Sequence, residues 1–338
     1  GPRPRATGAT SRARSCGRGE AGIKVRGTLE RNHYRLTPLG FFKPAWLTLD
    51  DYLTLDDPSQ LKGKRIAIVN IRGFIDFFPR FLKYGLAAHG ADVYTAEIDI
   101  PQLETLRRST TEMRATNMSR TLTGAAIDGL ARQTDLVARG ADMVIMPAVL
   151  GIFSDKPVER FRQTVDTPVH FIATTPASVP GVRCQLSLRD LFIRLGGTFM
   201  PGDTVERGEI EGNRVRRIFT RNFGDLPLEA ENYVISTGSF FGHGLIANIE
   251  RIYEPVFGLD LNVDGGRELW YDEDFYAPQP YMAFGVITDS LFRPSKEGTT
   301  IENLYATGAL LAGFNALKEG CGAGITLATA LSAASRIV

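Results

Sequence analysis

Between residues 64 and 148, apolar runs of strand length alternate with stretches of helical period, and this alternation limits the possible folds more than any other feature. The run KRIAIVN (64–70) is β-rich and leads to a turn at Gly73. Phe74, Phe77, Phe78, Phe81 and Leu82 then recur at helical spacing, Pro79 suits a first helical turn, and Gly90 suits a stop. DVYTAEI (92–98) follows as a second strand. Strand, helix and strand in this order form a βαβ unit, whose parallel strands are buried by helices on the sheet faces. Ser109 and Glu112 have capping-box spacing ahead of one long helix with the stripe Met118, Leu122, Ala126, Leu130. DMVIMPA (142–148) and VHFIAT (169–174) supply further strands.

Beyond this region Leu188, Leu191, Phe192 and Leu195 mark an amphipathic helix that Gly196 and Gly197 end. The period then changes. Two β-like runs within 198–221 flank Gly212-Asn213, a hairpin signal. NYVISTG (232–238) and NLYATG (303–308) each close on Thr-Gly, and an Ala-rich helix with a glycine-rich start ends the chain.

Charge excludes several classes of function. Among 338 residues, 39 Lys+Arg against 38 Asp+Glu leave a net charge of +1, which argues against a nucleic-acid partner. With 43% hydrophobic residues the chain can bury a sizeable core. Residues 1–22 differ: five arginines, one acid and almost nothing apolar predict a disordered tail without the apolar segment of a secretory signal. Cys16, Cys184 and Cys321 lie far apart, and His33, His89, His170 and His243 form no ligand pair, so no metal site is expected. The longest apolar stretch, 304–317, is broken by Gly308, Gly313 and Asn315 and is too short to span a bilayer. Membrane contact is therefore expected only through a partner or a surface.

The candidate site is built from two strand-to-glycine turns and one helix start. Thr237, Gly238 and Ser239 form the first turn, and Thr307 and Gly308 the second. Gly322, Gly324, Ile325 and Thr326 open the last helix. Glycine lets the backbone approach a ligand, and free N–H groups at a helix N-terminus favour an anionic group such as the pyrimidine edge of a reduced flavin. From spacing alone, the same glycines serve equally well as strand caps in a packed α/β domain. A full G-x-G-x-x-G fingerprint does not occur; Gly242-His243-Gly244 is the nearest match and reads as a loop, with His243 at the surface. No nucleophile elbow or P-loop occurs either, which removes hydrolase and kinase chemistry. Arg114, Arg183 and Arg293 suit phosphate geometrically but read as ordinary ion pairs. The aromatic group Trp270, Tyr271, Phe275, Tyr276, Tyr281 and Phe284 suits a flavin or quinone face, and better a packed loop or an interface with another protein chain.

Seven stretches add a more specific signal: 35–47, 95–120, 200–205 (MPGDTV), 220–228 (TRNFGDLPL), 236–245 (STGSFFGHGL), 275–280 (FYAPQP) and 293–324. Through them the chain resembles the B subunits of anaerobic glycerol-3-phosphate dehydrogenase over roughly residues 30–338. The resemblance implies an α/β fold of FAD/NAD(P)-binding type, like the fumarate reductase flavoproteins, with an inserted middle region. On that template 23–60 is a remnant of the N-terminal region, 61–180 the insertion, and 181–338 the flavin-domain portion with hairpin and C-terminal helix. It further implies FMN, with FAD as the alternative, near the turns at 236–239 and 306–308 and the helix start at 322–326. Two partners are implied: an FAD-containing catalytic partner that oxidises sn-glycerol 3-phosphate, and an iron–sulfur partner that anchors the complex to the membrane. The iron–sulfur partner attaches the complex to the cytoplasmic face of the inner membrane and passes electrons to quinone. No catalytic residue is assigned here, because substrate oxidation belongs to the FAD-containing partner. The alternative role is a scaffold joining these two partners without chemistry. The family's upstream glycine-rich phosphate loop has no counterpart in these residues, and Ala309 stands where relatives often carry an acid, so weak flavin binding is expected.

Overall fold

The computed structural model describes residues 20–28, 30–109, 111–263 and 265–337, and the tail expected at 1–22 lies outside the described residues up to position 19. The chain divides between Phe199 and Met200 into two compact units.

The first unit opens with short antiparallel strands: β1 (Val25–Gly27), β2 (His33–Leu36), β3 (Phe42–Ala45), β4 (Leu47–Leu49) and β5 (Thr54–Leu55). β1 pairs with β4, and β2 lies between β3 and β5. Leu36, Tyr52, Leu53 and Leu61 of this segment are buried in the same core as the α/β region that follows. That region is a four-stranded parallel sheet of β6 (Arg65–Ile71), β7 (Asp92–Ile98), β8 (Met143–Pro147) and β9 (Val169–Ile172), in the order β7-β6-β8-β9. The sequence of each strand matches its place. Central β6 is buried along most of its length on both faces, whereas edge strand β7 alternates buried and exposed positions. At the other edge, Phe171 N–H donates to the Asp51 carbonyl at 2.9 Å, so residues 51–53 cover what would be an open ladder.

Helix α1 (Pro79–Ala87) begins at Pro79, and Gly90 ends the turn after it at φ +82°. The expected run of phenylalanines is only partly helical. Phe74 and Phe77 are buried in the loop before the helix, and Phe81 is about half exposed. The single long helix expected after Ser109 is in fact two, α2 (Ala115–Thr121) and α3 (Ala125–Val137). Leu122 at ψ 80° and Gly124 at φ +50° break it, and all four stripe residues still reach the core because each helix packs separately. The capping box does not form: the Ser109 hydroxyl pairs with Thr111, and Arg114 caps α2 without a side-chain bond.

Helix α4 (Lys156–Thr164) and helix α5 (Val179–Arg194) complete the unit. The boundary expected at 180/181 would cut α5 near its start, and the whole helix belongs to the first unit. Its anchor is its first two turns: Val179 is buried, and Arg183 Nη2 meets both Asp51 carboxylate oxygens at 2.6 Å while Nη1 reaches the Gly151 carbonyl at 2.8 Å. The Leu188, Phe192, Leu195 stripe that announced this helix stays about half exposed or more.

The second unit has its own core of Tyr233, Ile235, Leu245, Leu259, Val286, Leu304 and Leu310, among others. The hairpin of β10 (Val205–Glu211) and β11 (Arg214–Thr220) turns at Gly212, φ +62°. β12 (Tyr233–Ile235) and β13 (Leu304–Ala306) run parallel, and α6 (Gly322–Ile337) closes the described chain. Among the described residues, no helix is long and apolar enough to cross a membrane.

Candidate functional site

The two Thr-Gly turns lie side by side because β12 and β13 are parallel neighbours in register, Ile235 opposite Ala306. Both strands therefore release their chains at one end of the pair. Thr307 N–H donates to the Ile235 carbonyl at 3.0 Å, and the Ser236 and Thr307 hydroxyls meet at 2.9 Å. Beyond this junction the first turn folds tightly. A Cβ on Gly242 would press on the Thr237 carbonyl at 2.6 Å, and one on Gly244 would strike the Gly238 carbonyl, so these glycines are required by the loop itself. His243 sits in this loop at φ +60° and is exposed, as its sequence context predicts.

At the second turn Gly308 has φ +70°, a left-handed conformation that costs a residue with a Cβ, and its Cα faces Thr326. A Cβ there would lie 3.3 Å from the Thr326 hydroxyl. Gly308 N–H is not free for a ligand: it donates to the buried Thr329 hydroxyl at 3.0 Å, which itself donates to the Ile325 carbonyl at 2.7 Å. Thr329 thus fastens α6 to the end of β13. Composition gives little sign of it, apart from a second threonine three residues after Thr326 in an Ala-rich helix.

The first turn of α6 leaves three amides outside the helical ladder. Ile325 N–H donates to the Cys321 carbonyl at 2.9 Å, so Gly322, Ala323 and Gly324 present their amides ahead of the helical ladder. A Cβ on Gly324 would meet nothing within 4 Å, and one on Gly322 only the Ala316 methyl at 3.4 Å. Beside these two glycines only the Ala316 methyl comes near, and the helix dipole places partial positive charge at this end. These residues fit the anionic edge of a flavin ring. The Thr326 hydroxyl donates to the Gly322 carbonyl at 2.9 Å and so braces the first turn. The structure thus brings Thr307, Gly308, Gly322, Gly324, Ile325 and Thr326 together, with Thr237, Gly238 and Ser239 joined to them through the Ser236–Thr307 contact.

Sequence reasoning missed Asn303. It is buried, accepts from Val215 N–H at 2.8 Å and donates to the carbonyls of Val215 and Glu231 at 2.9 and 3.0 Å, tying the hairpin to β13. The three arginines that suit phosphate are in ion pairs: Arg183 with Asp51, Arg293 with Asp289 at 2.8 Å and Arg114 with Asp76 at 4.0 Å.

Parallel strands ending in adjacent glycine turns beside a helix N-terminus are the parts from which nucleotide- and flavin-holding α/β domains are built. The FAD binding domain family matches residues 11–325. Proteins named as the B subunit of anaerobic glycerol-3-phosphate dehydrogenase are similar to this chain along most of its length. That of Yersinia enterocolitica is 38% identical over 318 residues, 94% of this chain and 75% of the relative. That of Pectobacterium carotovorum is 38% identical over 317 residues, with the same shares covered. That of Actinobacillus succinogenes is 39% identical over 326 residues, 93% of this chain and 76% of the relative. No solved structure matches. The chain belongs to the family of anaerobic glycerol-3-phosphate dehydrogenase B subunits, flavoprotein-type components of a multi-subunit oxidoreductase.

Proposed function

We propose that this chain is the flavin-bearing electron-transfer subunit of an anaerobic sn-glycerol-3-phosphate dehydrogenase complex. In this reading an FAD-containing catalytic partner oxidises glycerol 3-phosphate to dihydroxyacetone phosphate. The present chain, with FMN or alternatively FAD, passes the electrons to an iron–sulfur partner and on to quinone. The complex lies peripherally at the cytoplasmic face of the inner membrane through that iron–sulfur partner. The observation that supports the reading is the start of α6, where three amides lie ahead of the helical ladder and the two glycines leave space beside the backbone, next to the Gly308 turn.

A bound flavin supplies two-electron acceptance and one-electron release. The chain's own part is to hold and bias it. Amides of residues 322–324 favour negative charge at the ring edge, and the Thr329 bridge keeps helix and turn at fixed separation. Ala309, half-buried and without charge, favours the second reading, a scaffold that joins the two partners and holds flavin weakly or not at all. Purifying the complex and counting the flavin released from each of its chains separates the two. Flavin on this chain is expected, and flavin confined to the catalytic partner overturns the first reading.

A further inference from the structure

The aromatic group in 270–284 lies outside the two turns and the helix start described above, and it holds the most exposed large apolar side chains among the described residues of the second unit. Phe275 is 85% and Tyr276 92% exposed, and their rings stand edge to face with centroids 5.4 Å apart. Two aromatic side chains turned to water in this way forgo burial, so their placement needs a reason.

The loop that carries them is held by its own hydrogen bonds. The Gln279 side-chain amide donates to the carbonyls of Asp272, Asp274 and Ala277 at 3.3, 3.0 and 3.3 Å, and its oxygen accepts from Asp272 N–H at 3.0 Å. The Asp272 carboxylate accepts from Asp274 N–H at 2.8 Å, and that of Asp274 accepts from Tyr276 N–H at 2.9 Å. At the base, the Tyr281 ring stands edge-on to Phe240 at 6.3 Å, directly after the Thr237–Ser239 turn. The aromatic tip is thus preorganised and anchored beside the flavin site, which removes most of the ordering cost of binding.

We propose that residues 270–282 form a docking prong for a partner protein whose receiving pocket is apolar and rimmed by lysine or arginine. Both side chains are almost wholly in solvent, so in this reading they enter a partner's pocket and do not form one. Asp272, Glu273 and Asp274 flank it, all exposed, with no basic residue within the loop. Such a rim repels anionic lipid and nucleic acid and attracts a basic protein surface. Large rigid aromatics ringed by charge are the usual anchors of protein interfaces. The proposal rests on the multi-subunit reading above and assigns to it a contact surface next to the flavin.

The test co-expresses the full chain with the two proposed partners and measures assembly by size-exclusion chromatography and binding by interferometry. The double variant Phe275→Ala/Tyr276→Ala is expected to keep the circular dichroism and melting profile of the parent, because both side chains are exposed. It is expected to bind one partner on the order of 30-fold more weakly or worse. Glu273→Lys, which removes no described hydrogen bond, is expected to weaken the same contact and flatten its salt dependence. Parent-level binding by the double variant overturns the prong and leaves the multi-subunit reading standing. No assembly by the parent chain overturns both. A self-association of the chain alone that the double variant abolishes assigns the loop to a second copy and also overturns the proposal.

Discussion

Gly308 concentrates several demands on one residue: a left-handed backbone, a Cα against Thr326, and an amide committed to Thr329. Gly308→Ala is expected to cost about 1–2 kcal/mol, chiefly through backbone strain. Thr329→Val is expected to cost about 1–3 kcal/mol by leaving that amide buried and unpaired. Thermal melts of both variants check this, and parent-like melting of Thr329→Val would remove the hydroxyl bridge from the account. His170, on β9, shows a different effect. Burial, with Arg162 and Arg26 adding to it, pushes its imidazole from 6.5 down to about 4. The folded state therefore keeps His170 neutral where the unfolded chain is already protonated. The resulting stability is complete above pH 6.5, is lost as pH falls toward about 4, and amounts to at most about 3 kcal/mol. His170→Asn is expected to flatten the fall in denaturation midpoint between those two pH values, and an unchanged slope counts against the assignment.

At the scale of elements, the first turn of α6 separates fold from function unusually well. A Cβ at 324 has no protein atom within 4 Å, so Gly324→Val is expected to leave packing intact and to change helix propensity by only a few tenths of a kcal/mol, in favour of the variant. Bound flavin per chain, read from visible absorbance after purification, is expected to fall several-fold while the melting profile stays near the parent's. Full occupancy in this variant would move the flavin elsewhere. Helix α5 shows that an amphipathic stripe is not proof of burial. Its position is set by Val179 and the two-point Arg183–Asp51 pair, and Leu188, Phe192 and Leu195 stay largely in contact with solvent.

For the whole molecule, the two cores meet in sequence at a short exposed connection. Leu195, Gly196, Thr198, Phe199 and Met200 are exposed and carry no strand or helix, which is the usual target of limited proteolysis. Brief chymotrypsin treatment is expected to nick the chain at Leu195 or Phe199 before any position within β6–β9. Earlier cleavage within β6–β9 would contradict the division into two units.

Local pattern was enough for much of this protein. The parallel strands at 65–71, 92–98 and 143–147, the hairpin at Gly212 and the glycine-led final helix all follow from apolar period and turn chemistry, which act over a few residues. The pairing of the two Thr-Gly turns was legible only as a repeat. Their adjacency needed β12 and β13, some seventy residues apart, to align in parallel. Three further points emerged only in the folded chain. The helix splits at Leu122–Gly124, Thr329 and Asn303 take their bridging roles, and the Phe275–Tyr276 tip is held in water by the amide of Gln279. The Thr329 and Asn303 bridges join residues far apart in sequence, whereas the helix break and the Gln279 bonds are local and depend on backbone and side-chain geometry that residue type alone does not specify.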